Sequence, residues 1–137
     1  GTFNGNPVTM VAGEVSLREL TAKRIEQMDQ LRRLLQTGLG CAANKHGLPL
    51  SINHYGSCLN LYFSEAVPQS SSVREDGELI EKFHLACMNH GLFIAPRGMI
   101  ALSTVITEKD IAGAVERADM AMCDVAAEMG NNNVRKG

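Results

Sequence analysis

LSINHYGSCLNLYF, residues 50–63, is where the apolar period of this chain changes from 3.6 to 2. Leu50, Ile52 and His54 alternate with polar neighbours, Tyr55-Gly56-Ser57 makes a turn, and Leu59, Leu61 and Phe63 alternate again. Successive side chains of a strand point to opposite faces, so this pattern predicts an antiparallel hairpin with one buried face. On either side of it the period is helical. Upstream, Ile25, Met28, Leu31, Leu35 and Leu39 recur at three- and four-residue steps, with Leu34 widening the stripe. Thr21 can cap that helix, Gly47 can stop it beyond His46, and Arg24, Glu26, Asp29, Arg32 and Arg33 fall mostly on its polar side.

Earlier still, Asn6 and Pro7 are a good N-cap and first helical residue, and a helix follows to about Leu20. Val8, Met10, Val11, Ala12, Val15 and Leu17 make it apolar around most of its girth, and such a helix is covered on several sides in its native setting. Downstream, residues 66–77 read as a polar Ser-rich loop, the least ordered internal stretch. A helix over about 77–90 turns Leu79, Ile80, Phe83 and Cys87 inward and stops at Gly91. Residues 92–95 and 99–104 read as short strands about Pro96-Arg97-Gly98. The last helix follows a Thr107/Asp110 capping box, steps through Ile111, Val115, Ala118, Met122, Val125 and Met129, and ends at Gly130 before a polar tail. No internal repeat is evident. The order α-α-β-β-α-β-β-α predicts an α+β fold, a small antiparallel sheet of about four strands covered by helices.

Composition bounds the function. The chain has 137 residues, 45% hydrophobic and 20% charged, which fits one folded domain at residues 1–130 with a polar tail at 131–137. A net charge of -2 argues against a nucleic-acid platform or a polybasic membrane surface, and no apolar run approaches the ~20 residues of a membrane span. Aromatic residues are 4% and Trp is absent, which disfavours a base- or sugar-stacking site. Cys41, Cys58, Cys87 and Cys123 are widely spaced without a CxxC, as expected of reduced thiols in the cytoplasm. No signal peptide is evident, and a start at Gly1 rather than Met suggests a piece cut from something longer.

Several candidate chemistries are weak. His84, Cys87 and His90 stand at three-residue steps on one helix, each turned about 60° from the last, a strained metal set. Cys87 reads better as a core thiol. Cys58 follows His54 across a turn and could meet it as a nucleophile pair, although a core thiol and a strand-edge imidazole are the simpler reading. No phosphate loop or nucleophile elbow is present. Gly1-Thr2 followed by Gly5-Asn6-Pro7 offers a hydroxyl and free N–H groups beside a helix start, where an anion is favoured.

Read whole, GTFNGNPVTMVAG (1–13) resembles the GT-x-x-GNP-x-x-M-x-AG block of the class III aminotransferases, pyridoxal phosphate enzymes of fold type I that include glutamate-1-semialdehyde aminomutase. HGLFIAPRGMIALSTVITEKDI (90–111) is similar to that family's C-terminal strand pair and the helix start after it. The resemblance covers residues 1–129 and implies the family's small C-terminal domain. It implies that Gly1 and Thr2 reach the phosphate of the partner subunit's pyridoxal phosphate across a dimer interface. It implies that Arg97, on a turn facing the substrate entrance, can clamp a substrate carboxylate. Where the semialdehyde aminomutases carry Ser-x-Phe-Glu this chain has Arg97-Gly98-Met99, which looks more like the relatives that transaminate amino acids. The family's Schiff-base lysine lies in the large domain, and Lys23, Lys45, Lys82, Lys109 and Lys136 do not match it. The chain alone is therefore predicted to be inactive and to hold no cofactor, with no catalytic residue and no metal of its own. The other readings are a free-standing structural or interaction module derived from the same fold, and a small metal or thiol protein.

Overall fold

Three of the helix starts rest on a local device written in the sequence. In the computed structural model, which describes residue 1 and residues 4–68 and 77–134 (131–134 as backbone only), the Asn6 side chain accepts from the N–H groups of Val8 and Thr9. Helix α1 then runs Pro7–Glu19. Thr21 caps α2, Ala22–Lys45, by accepting from Arg24 N–H. Strands β1, Ser51–Tyr55, and β2, Cys58–Tyr62, form the expected hairpin, with Gly56 at φ +54 in the first central position of its two-residue turn. Helix α3 is Gly77–Asn89, strand β3 is Met99–Ala101, and α4 is Glu108–Val134. The Thr107/Asp110 box forms in both directions: Asp110 N–H donates to Thr107 Oγ1 at 3.3 Å and Thr107 N–H donates to Asp110 Oδ2 at 2.9 Å.

The architecture is α+β, a three-stranded antiparallel sheet in the order β1-β2-β3 covered by helices. Register puts Ile52 opposite Leu61 and Leu59 opposite Ile100, and this face joins Leu35 and Leu39 of α2, Phe83 and Cys87 of α3, and Ala118, Met122 and Val125 of α4 in one core. Ser51, Asn53, Tyr55, Cys58, Asn60, Tyr62 and Met99 alternate onto the opposite face. Helices α2 and α4 pack closely where Gly38 meets Val115: a Cβ on Gly38 would lie 2.5 Å from a Val115 methyl.

The structure corrects four expectations. Residues 92–95 form no strand. Both sides of β2 are already paired, and Ala95 reaches β3 through one long bond, N–H to Met99 O at 3.4 Å, before Pro96, which has no N–H, turns the chain. Strand β3 is shorter than residues 99–104, although Leu102 N–H still donates to Ser57 O. Helix α4 passes through Gly130 to Val134, because an isolated glycine weakens a helix without stopping it. Arg32 is buried, only 3% exposed, rather than on the polar side. Residues 69–76 of the Ser-rich loop and 135–137 of the tail lie outside the described residues.

One short motif does recur. His46-Gly47-Leu48 ends α2 and His90-Gly91-Leu92 ends α3. In both, Gly takes positive φ (+67 and +74), and Leu N–H donates back to Ala43 O and Cys87 O respectively. These are paired Schellman ends, and each sends its histidine ring onto α4: His46 Nε2 lies 2.9 Å from Asp119 Oδ1, and His90 Nε2 lies 2.7 Å from Asp124 Oδ2.

Candidate functional site

The turn that carries Arg97 is built on glycine. Gly98 N–H donates to Ala95 O at 2.9 Å, closing a β-turn with Pro96 and Arg97 at its centre. Gly98 O then accepts from Leu61 N–H at 3.1 Å, which ties the turn to the end of β2. Gly98 has φ +77, and a Cβ there would lie 2.7 Å from Leu61 O, so no other residue fits without a shift. The result is a rigid platform with Arg97 exposed at its tip, and no carboxylate among the described residues pairs with its guanidinium.

The second element is the N-terminal loop. Gly1 O accepts from Asn4 N–H at 3.0 Å, Gly5 takes φ +85, and Asn6 opens α1. Thr2 lies outside the described residues. Gly1 is exposed, and among the described residues no bond joins this loop to the Arg97 turn. Helix α1 has no buried residue: Val8 is 78% exposed and Leu17 72%. Val8, Val11 and Val15 lie on one side of it, with Met10 and Leu17 roughly opposite at ~100° per residue.

The remaining candidates separate. Among the described residues no three His, Cys, Asp or Glu side chains gather about a point. His84 sits edge-on to Phe93, with ring centroids 6.3 Å apart, His90 binds Asp124, and Cys87 is buried, its thiol pushed up to about 12 by burial. His54 pairs with Leu59 and Tyr55 with Cys58, so the alternation places His54 and Cys58 on opposite faces of the hairpin.

Two arrangements escape a reading by motif. Arg32 donates from Nε and Nη2 to Asp29 Oδ1 at 2.9 and 2.8 Å, and from Nη1 to Gln36 Oε1 at 2.6 Å. The Arg32 guanidinium and then that of Arg33 hold the Asp29 carboxyl below the usual range. At ~100° per residue Arg32 falls within about 20° of both Leu39 and Ala43, so its burial was written in the helical wheel. The other is the Lys45–His46–Asp119 cluster, in which Lys45 and then His46 hold the Asp119 carboxyl low.

A pyridoxal phosphate site needs a desolvated lysine with a lowered pKa. Lys82 is the reverse: the hydrogen bonds it donates to Glu78 and then to Glu128 raise its pKa. Lys45 is bound to Asp119, and Lys23 and Lys109 are exposed. The lysines of the described residues do not fit the cofactor's carbonyl, so no step of its chemistry is assigned to this chain.

No protein-family model matches the sequence. Glutamate-1-semialdehyde 2,1-aminomutase 2 of Bacillus pumilus is 32% identical over 123 residues, which is 87% of this chain and 29% of that protein. An omega-transaminase from Sphaerobacter thermophilus superposes with a TM-score of 0.80 at 28% identity, covering 91% of this chain and 30% of the other. A structure described as a transaminase with PLP bound superposes equally well, 0.80 at 26% identity over 93% of this chain and 30% of the other. The chain thus spans about 30% of the length of these relatives. The homologues of these 137 residues are thus glutamate-1-semialdehyde aminomutases and their structural neighbours are pyridoxal-phosphate transaminases, and the chain matches the C-terminal part of those enzymes.

Proposed function

We propose that this chain is the small C-terminal domain of a class III aminotransferase that transfers the amino group of an amino acid or of an amino ketone or semialdehyde. The cofactor of the intact enzyme is pyridoxal phosphate, held by a lysine of the large domain. The reading is carried by the Arg97 platform, a guanidinium on a turn locked by Gly98 and without a carboxylate partner among the described residues. A rigid guanidinium suits two-point recognition of a planar carboxylate. Gly1 and Thr2 are assigned to the phosphate of the partner subunit's cofactor, beside a helix start that favours an anion. The partner is a second copy of the enzyme, and α1 supports this with apolar side chains on two opposite sides and none buried. Four free thiols support a reducing, cytoplasmic setting. Among the described residues no helix is long and apolar enough to cross a membrane.

The test is Arg97→Ala in the intact enzyme, assayed with an amino acid and with the amine that lacks its carboxylate. Loss of a charged hydrogen-bonding pair should raise KM for the amino acid about 10- to 100-fold and leave the amine unchanged. An equal effect on both substrates would remove Arg97 from the site. Thr2→Ala in the same enzyme should weaken cofactor retention, and unchanged retention would remove Thr2. The 137-residue chain alone, mixed with pyridoxal phosphate, should give no Schiff-base absorbance that reduction fixes on one lysine.

A further inference from the structure

The core beneath the sheet is not completely filled. A cavity of about 120 Å3 lies among Leu39, Leu61, Phe83, Ile100, Ile106 and Ala114. Its wall passes from fully buried Ala118 to Phe93, 80% exposed, so it reaches solvent on the Phe93 side and a guest has a way in. Among the lining residues Asp110 alone carries a polar side chain, and its Oδ2 already accepts from Thr107 N–H and Oγ1–H at 2.9 and 2.7 Å. A buried water needs two to four polar partners, and Asp110 is the one polar side chain in these walls. Wall atoms that face an empty space lose their dispersion contacts, and an apolar guest restores them without desolvating a polar group. An apolar cavity of ~150 Å3 lined by Leu, Ile and Phe stays dry and takes up benzene or xenon.

We infer that this cavity is a binding site for a neutral apolar molecule of about benzene's size that carries no hydrogen-bonding group. The site is separate from the Arg97 platform and does not depend on the aminotransferase reading.

Benzene is the probe, and methyl NMR of the 137-residue chain is the readout. Saturable ring-current shifts are expected at Ile94, Ile100, Ile106 and Ile111, with Ile25, Ile52 and Ile80 unmoved. The midpoint of thermal unfolding should rise by about 1–3 °C in benzene. Phenol has the same shape with an added hydroxyl and should bind at least about tenfold more weakly, because the only polar side chain in the walls is Asp110, which is exposed and already held by Thr107. Ala114→Leu fills the space and should abolish both responses. Shifts spread evenly over near and distant isoleucines, equal binding of phenol and benzene, or a benzene response that survives in folded Ala114→Leu would each overturn the assignment. The phenol comparison uses the unaltered chain and decides the matter even if the variant does not fold.

Discussion

Gly98 carries more of the architecture than its size suggests. Its positive φ and the Leu61 carbonyl beside it leave no room for a methyl group. Gly98→Ala should lower the free energy of unfolding by about 2–3 kcal/mol in urea titration, since left-handed backbone strain and a backbone collision add. Thr107→Ala removes an N-cap and should cost about 1 kcal/mol by the same measurement. Thiol reagents should find three fast cysteines, Cys41, Cys58 and Cys123, and reach Cys87 only on denaturation, because Cys87 is buried and its thiol is pushed up to about 12. Single residues were legible in the sequence to differing depths. Asn6, Thr21, Gly47 and Gly91 announce themselves, because capping chemistry is local. Arg32 does not, because its charge suggests the surface while its angular position puts it inside, and its partners Asp29 and Gln36 matter only once the helix exists. Gly98 reads as a plain turn glycine until Leu61, far away in the chain, is brought beside it.

At the scale of elements, periodicity located every helix and the hairpin, because those patterns are short-range consequences of burial on one side. It failed at residues 92–95, where LFIA has strand-like composition but meets β3 only through the long Ala95–Met99 bond before Pro96 turns the chain away. Whether a β segment pairs is decided by distant residues, and a window along the chain does not contain them. Gly130 shows the complementary error, since a glycine that could end a helix need not. Helix α1 is the element with no buried residue. A helix this apolar and exposed is expected to associate, and the isolated chain should form dimers or larger species in sedimentation. Val11→Asp with Leu17→Asp should return it to a monomer without a change in helical circular dichroism. A wild-type monomer at high concentration would count against that role for α1.

For the molecule as a whole, the acid response follows from three carboxyls. Asp29 is held low by Arg32 and Arg33, Asp110 by Thr107, and Asp119 by Lys45 and His46. In each case the unfolded chain binds a proton more readily than the folded one, so stability rises with pH through this window. Stability should be fully present above the ordinary Asp value near about 4 and be lost progressively below it, as thermal unfolding from pH 6 to 2 would report. Asp119→Asn should shallow that slope, and the same slope in wild type and variant would clear Asp119 of a part in it.

The two His-Gly-Leu ends have a mechanical consequence for α4. The Asp119 and Asp124 carboxylates sit roughly one and a half turns apart on that helix, and each is gripped by a ring from a different neighbour. A slide along the axis, or a roll about it, would have to release both grips together. Helix α4 is in this way indexed to α2 and α3 by a pair of detents, and a residue inserted between Asp119 and Asp124 would force it to give up one of them.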